Sequence, residues 1–147
     1  MKITEALLAE HVVFHNLFDY VERATPKLKS LGEVRALAGL VGAMQEAHGK
    51  IEDELVMEPL AHCLDQFGQN EALHAEHEHI EAILNQVRTC RDLRKAKKLL
   101  HGAVVVSRQH FDREERVIFP LAEKWLKAKT LQTLGTNWVA RRKQVLG

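Results

Sequence analysis

The 147-residue chain has little of several features that would mark a specialised class of protein. Its two cysteines, Cys63 and Cys90, form no CxxC pair, so we expect free buried thiols rather than disulfides or a thiolate zinc site. A net charge of +1 provides no general attraction to nucleic acid or to an anionic membrane. No run approaches the roughly 20 apolar residues of a membrane span, and the start lacks a signal-peptide core. These absences predict a soluble, cytoplasmic protein.

Helical periodicity is the main pattern that remains. With 46% hydrophobic residues, the chain is expected to form a single domain over residues 1–147. Few breaks interrupt it, and no alternating strand pattern appears. The breaks separate predicted helices at residues 4–24, 33–66, 71–89, 93–128 and 137–146. We therefore predict an all-α fold, an up-down-up-down four-helix bundle with a short C-terminal helix.

Local signals support these boundaries. The side chains of Ser30, Asn70 and Asp92 are placed to accept hydrogen bonds from the first free amides of the helices that follow. Pro59 and Pro120 fall late in the second and fourth helices, where each removes one backbone hydrogen bond and crowds the preceding turn. A kink or an early end is expected at each proline.

Polar residues interrupt the apolar seams of the four long helices. A spacing of three and four along each seam otherwise selects apolar residues. Each helix nevertheless has one histidine in the middle of its seam, and two helices add a glutamate four residues later. These residues are His11, His48, Glu52, His77, His110 and Glu114.

The polar positions recur in two copies of the same pattern. HGKIEDELVMEPL at residues 48–60 resembles HFDREERVIFPL at residues 110–121, although the proline is displaced by one residue. LLAEH, which ends at His11, resembles LHAEH, which ends at His77. The separation between copies is 66 residues from His11 to His77 and 62 from His48 to His110. These similar separations predict a duplicated helical hairpin in which each copy contributes two histidines and one carboxylate.

A bound metal is the interpretation that chemistry favours for these six groups. Each would cost about 1–3 kcal/mol if buried without a partner, which a domain of about 5–15 kcal/mol total stability tolerates poorly. Histidine and glutamate four residues apart lie on one helix face and can reach a common centre. Four imidazoles and two carboxylates without thiolate suit iron or manganese, and zinc also accepts them.

A polar core without metal is the alternative. The HxxxE spacing alone is weak support, because five of the nine histidines have an acid four residues later. The duplicated context and the seam positions therefore carry the prediction.

These elements resemble the hemerythrin-like family, in particular its HHE cation-binding branch. The resemblance rests on LLAEH, HGKIE, AEHEHI and HFDREERVIFPL, which span residues 7 to 121. It implies a four-helix bundle with a non-haem, oxo- or hydroxo-bridged di-iron centre. In that centre the terminal ligands would be His11, His48, His77 and His110, and the bridging ligands Glu52 and Glu114.

Departures from the oxygen carriers of that family shape the functional expectation. Those proteins use five histidines and a histidine-to-aspartate spacing of five on the last helix, whereas this chain has HxxxE at residues 110–114. The chain thus resembles the branch linked to iron-centre repair, nitric oxide or peroxide chemistry, and iron sensing. A small diatomic or peroxide ligand is expected. The alternative is a non-enzymatic iron or oxygen sensing or storage module that acts through partner contacts.

The other polar residues near the seams have simpler interpretations. His15 and His74 are weighed as extra ligands, but a supporting or packed role is favoured for both, and the remaining histidines are expected at the surface. We expect the acids beside the predicted ligands to be solvated charges: Glu10, Asp53, Glu76 and Glu115. For Glu10 and Glu76 the alternative is acceptance of a hydrogen bond from a ligand imidazole. The basic stretch at residues 137–146 is predicted to cover the bundle end, with a partner contact as the alternative.

Overall fold

The computed structural model describes residues 1–146, with side chains through residue 144. No strand occurs in this part of the chain, which confirms the all-α prediction. No helix in it is both long and apolar enough to cross a membrane. The helices are α1 (Ile3–Ala24), α2 (Leu31–Glu52), α3 (Glu58–Gln66), α4 (Gln69–Thr89), α5 (Leu93–Arg113), α6 (Phe119–Trp125) and α7 (Ala128–Leu146).

Four long helical rods form the bundle, because α2 continues into α3 and α5 continues into α6. One-turn π-helical segments make the joins, Asp53–Met57 in the first case and Glu114–Ile118 in the second. We call α1 with α2 and α3 the first hairpin, and α4 with α5 and α6 the second. The fifth rod, α7, packs along α1.

The two prolines explain the π turns. A proline ring in a regular helix collides with the carbonyl four residues earlier, and proline has no N–H to donate. The chain widens in front of Pro59 and Pro120, so that the N–H of Glu58 bonds to the Asp53 carbonyl, five residues back. Each helix therefore passes its proline without ending.

The structure confirms two of the three predicted N-terminal capping residues. Ser30 Oγ accepts from the Glu33 amide at 3.2 Å, and the Asp92 carboxylate accepts from the Lys95 amide at 2.9 Å. The prediction that Asn70 caps α4 is wrong. The chain turns instead at Gly68, whose φ of 65° is readily adopted only by glycine, and α4 begins at the next residue.

Two apolar clusters fill the interior, one toward each end of the bundle. The first includes Phe18, Val41 and Leu100, and the second includes Leu7 and Ile118. On each long rod, the change from one cluster to the other falls at the level of the seam histidine. The polar groups thus occupy a layer between two complete apolar cores.

The C-terminal helix is present, but it begins at Ala128 rather than at residue 137. Gly135 lies inside it, although the sequence suggested a break there. The backbone of α7 passes so close to the residues just before α1 that a Cβ at position 135 would collide with the Met1 carbonyl oxygen. Leu131 is buried in the second apolar cluster, so the added turns of helix are held by packing.

Smaller corrections concern the end of the fourth rod and the thiols. The rod ends at Trp125 rather than at residue 128. Trp125 continues the apolar spacing of the fourth rod, but it is 55% exposed at the end of the rod. Cys63 and Cys90 are both free, and only Cys63 is fully buried.

We predict that Gly135→Ala and Gly102→Ala change stability in opposite directions. Alanine ordinarily stabilises an exposed helix position by up to about 1 kcal/mol relative to glycine. A Cβ at position 102 meets nothing within 4 Å, so the free energy of unfolding should rise there. At position 135 the collision should lower it by about 1–2 kcal/mol. Urea unfolding measures both, and equal gains at the two sites would contradict the proposed close approach.

Candidate metal centre

The structure brings all six predicted site residues together in the polar layer. His11, His48 and Glu114 each offer a ligand atom within 4.8 Å of the others. A second group with the same spacing shares one carboxylate with the first and consists of Glu52, His77, His110 and Glu114. The arrangement follows from the duplication, since each hairpin supplies one histidine pair and one carboxylate.

The paired imidazoles face each other through their Nε2 atoms. These atoms are 3.2 Å apart in His11 and His48, and 2.8 Å apart in His77 and His110. Glutamates lie beside both pairs, with His48 Nε2 at 3.3 Å from Glu52 Oε2. All four ring edges therefore converge on the space between the two carboxylates.

The carboxylates fit a cation better than a satisfied polar core. Glu52 Oε2 and both oxygens of Glu114 are buried and have no hydrogen-bond partner among the described residues. His11 Nε2 lies 3.0 Å from Glu114 Oε2, and His110 Nε2 lies closer still to Glu114 Oε1, but neither approach has hydrogen-bonding geometry. Each orphaned oxygen would cost about 1–3 kcal/mol. A bound cation removes that cost because the oxygens become its ligands.

Protons occupy part of this site in the protein without metal. Burial disfavours the charged form of His48, but the adjacent carboxylates of Glu10 and Glu52 outweigh it and raise the pKa of His48 to about 10. Burial and the charge of Glu52 raise the pKa of Glu114 to about 8. Burial would also raise the pKa of Glu52, but the adjacent His48 lowers it. A metal would therefore compete with protons on His48 and Glu114.

Outer carboxylates orient three of the four imidazoles. His48 Nδ1 lies 2.6 Å from Glu10, and His110 Nδ1 lies 2.7 Å from Glu76. His11 Nδ1 lies 3.0 Å from Glu115. Because an ionised carboxylate only accepts hydrogen bonds, the proton sits on Nδ1 in each ring. The Nε2 lone pair of the neutral ring is then free to face the centre.

The expectation that these acids only solvate the helix surface is wrong for three of them. Glu10 and Glu76 each precede a site histidine in the sequence but bond to the histidine on the other helix of their hairpin. Glu115 bonds across the bundle to α1. Asp53 occupies the matching position in the first hairpin, but its Oδ1 is buried without a hydrogen-bond partner in the described structure. Burial raises the pKa of Asp53.

Aromatic packing fixes the rings from the side of the first apolar cluster. Phe111 stacks on His11, with ring centroids 4.0 Å apart and planes 12° from parallel. Phe14 meets the edge of His48 at 5.2 Å. The phenylalanines limit rotation of both imidazoles and separate the polar layer from water on that side.

The other histidines stay outside the centre. His15 is partly exposed and bonds to Arg108 at 2.9 Å, in agreement with a supporting role. His74 is exposed, which argues against its ligation. The remaining three are exposed as expected: His62, His79 and His101.

One side of the centre is open to a groove. His77 is the only site histidine that is partly exposed, and it lines a groove of about 610 Å³ between α2 and α4. Gly39, Gly42 and Gly49 of α2 form much of the floor. Burial and the charge of His110 lower the pKa of His77, which favours the neutral form of this ring.

A helical bundle with a buried histidine and carboxylate cluster at mid-height defines a class of helical metal-binding proteins. The chain belongs to the family described as the Hemerythrin HHE cation binding domain, whose model matches residues 2–122. This confirms the resemblance seen in the sequence and implies binding of a metal, typically iron. Searches of curated proteins and of solved structures gave no match. The family match ends before α7.

We predict that metal binding releases protons. In the metal-free protein His48 and Glu114 have raised pKa values, about 10 and about 8, so both hold protons at pH 7. A metal binds the deprotonated groups, and its affinity should therefore rise with pH as these protons become easier to remove. Calorimetric titration with ferrous iron, without oxygen and in buffers of different ionisation enthalpy, measures the release. Equal heats in all buffers, or affinity that falls with pH, would contradict it.

Proposed function

We propose that the protein holds a di-iron centre and uses it for redox chemistry with oxygen, nitric oxide or peroxide, or for iron-centre repair. His11 and His48 would hold one iron, and His77 and His110 the other. Glu52 and Glu114 would bridge the two. The observation that carries this proposal is the set of three buried carboxylate oxygens without hydrogen-bond partners in the described structure.

The protein residues supply orientation and water exclusion in this proposal. When bound, iron would supply the electrons or the Lewis acidity that small ligands require. Glu10, Glu76 and Glu115 fix the orientation of three of the rings, because each accepts a hydrogen bond from an Nδ1 atom and leaves Nε2 facing the centre. The two apolar clusters keep bulk water from both ends of the polar layer. Manganese and zinc are weaker candidates on the same ligands.

The groove between α2 and α4 supports access by a small molecule. It reaches His77, whereas the other three site histidines are buried. We propose that oxygen, nitric oxide or peroxide approaches the iron at His77 and His110 by this path. A glycine floor is compatible with this role because any larger side chain there would narrow the path.

A non-enzymatic sensing or storage module is the second candidate. The raised pKa values of His48 and Glu114 favour it, because metal binding then changes the charge of the interior and can couple to a partner contact. In either case we propose one hemerythrin-like domain over residues 1–147. Two free thiols agree with a cytoplasmic location, which we also propose.

Reconstitution with ferrous iron under anaerobic conditions tests these candidates. We expect two irons per chain, followed by spectral changes when oxygen, nitric oxide or peroxide is added. Repeated turnover would support redox chemistry, and stable ligation or altered assembly would support sensing. Absence of iron uptake would overturn the proposal and would leave a manganese or zinc site, or the polar core without metal.

Glu114→Gln separates a metal ligand from a structural polar group. Without metal, Glu114 makes no hydrogen bond in the described structure, so the free energy of unfolding should stay within about 1 kcal/mol of wild type. Iron binding should fall to one equivalent or less, because both proposed positions use this carboxylate. Exposed Glu78→Gln is the matched control and should change neither quantity. A large loss of metal-free stability with full iron binding would contradict the assignment.

Gly42→Leu tests the path through the groove. A Cβ at position 42 would lie 3.6 Å from Leu84, in ordinary contact, so leucine should fill the groove without touching a proposed ligand. We expect the same iron content but severalfold slower binding of azide to the oxidised protein, measured by stopped flow. Gly102→Leu, where a Cβ meets nothing within 4 Å, is the control. Equal azide rates in both variants would exclude this path.

A further inference from the structure

The C-terminal helix reaches the candidate metal centre through a chain of hydrogen bonds. Trp138 Nε1 donates to Glu10 Oε1 at 3.0 Å, and Arg142 Nε donates to the same oxygen at 2.6 Å. The other oxygen of Glu10 lies 2.6 Å from His48 Nδ1. One carboxylate therefore joins two side chains of α7 to the ring of a proposed ligand on α2.

These contacts are shielded from solvent. The side chains of Glu10 and Arg142 are 15% and 24% exposed, respectively. Water and salt screen such a pair less than a surface ion pair, and hydrogen bonds between charged groups are the stronger kind. Both carboxylate oxygens of Glu10 are engaged, one by Trp138 and Arg142 and the other by His48.

The second hairpin holds its equivalent of Glu10 without help from α7. There the equivalent acid, Glu76, is held by Arg113 at 2.6 Å, and both residues belong to that hairpin. Arg113 follows its site histidine by three residues. The matching position in the first hairpin is Ile51, a buried apolar residue that cannot hold a carboxylate. In the first hairpin, Arg142 of α7 therefore holds Glu10 from outside the hairpin.

We propose that α7, which lies beyond the residues matched by the family model, is a positioning element for His48. Trp138 and Arg142 act through Glu10, which keeps the His48 proton on Nδ1 and turns Nε2 toward Glu52, 3.3 Å away. Without these donors the Glu10 carboxylate can move and no longer holds the His48 ring. The ring must then be ordered when metal binds, which weakens metal binding. The inference rests on the proposed metal centre.

Two substitutions in α7, each with a matched control, test whether these donors position His48. Arg142→Met removes the charged donor, and Trp138→Phe removes only the indole N–H while keeping most of the packing. Arg141→Met is the control for charge loss on the same helix, because Arg141 pairs with Glu54 instead. Trp125→Phe is the control for the change from tryptophan to phenylalanine, because Trp125 is exposed and is the other of the two tryptophans.

Iron affinity is the first measurement, by anaerobic ferrous titration against a competing chelator. Arg142→Met should weaken binding by up to about 10-fold, the lower end of the cost of losing a residue bonded to a metal-bound histidine, because Arg142 acts through Glu10. Trp138→Phe should act in the same direction by a smaller factor. Both controls should bind like wild type.

The second measurement separates positioning from general loosening. In the cobalt-loaded protein, the exchangeable Nδ1 protons of the ligand imidazoles give proton resonances shifted far from the rest of the spectrum. Arg142→Met should shift one of these resonances, that of His48, and leave the others in place. Arg142→Lys should restore part of the shift because it returns a positive donor near Glu10.

The outcomes are distinct. Equal affinity and unchanged resonances in Arg142→Met and Arg141→Met would overturn the inference while iron uptake by wild type upheld the proposed function. No iron uptake by wild type would overturn both. If Arg142→Met does not fold, Trp138→Phe decides, since unchanged affinity and an unchanged His48 resonance in that variant would also overturn the inference.

Discussion

The buried carboxylates of Glu52 and Glu114 place three oxygen atoms in the interior with no hydrogen-bond partner among the described residues. Such atoms cost about 1–3 kcal/mol each, out of a total stability of about 5–15 kcal/mol for a typical domain. The bundle can carry this cost because a complete apolar cluster lies on each side of the polar layer. Four imidazole edges turned toward the same space make a cation the simplest physical explanation for the arrangement.

Support for the imidazoles differs between the two halves of the bundle. In the first hairpin, His48 is held through Glu10 by two residues of α7, and both histidines are buried. In the second, His77 has no hydrogen bond to a carboxylate among the described residues and faces the groove between α2 and α4. One proposed metal position is thus enclosed and the other is accessible, which suits a centre in which a single iron receives the external ligand.

Much of this arrangement could be predicted from sequence because periodicity and duplication are local patterns. The seam spacing placed His11 and Glu114 on inward faces, and the repeated HxxxE paired the hairpins. Contacts between helices carry no such local signal. Glu10 is next to His11 in the chain but bonds to His48. Gly135 is read as a helix break from sequence, whereas the structure shows that glycine is needed there because Met1 lies so close. One difference between the two copies did signal the role of α7: Arg113 lies three residues after His110, whereas Ile51 stands at the same position after His48.

Anomalous diffraction at the iron edge, from crystals of the iron-loaded protein, tests the central claim most directly. The account predicts two iron peaks in the polar layer, both in contact with Glu52 and Glu114, one beside His11 and His48 and the other beside His77 and His110. Iron bound elsewhere on the protein, or a single peak that touches neither carboxylate, would contradict it.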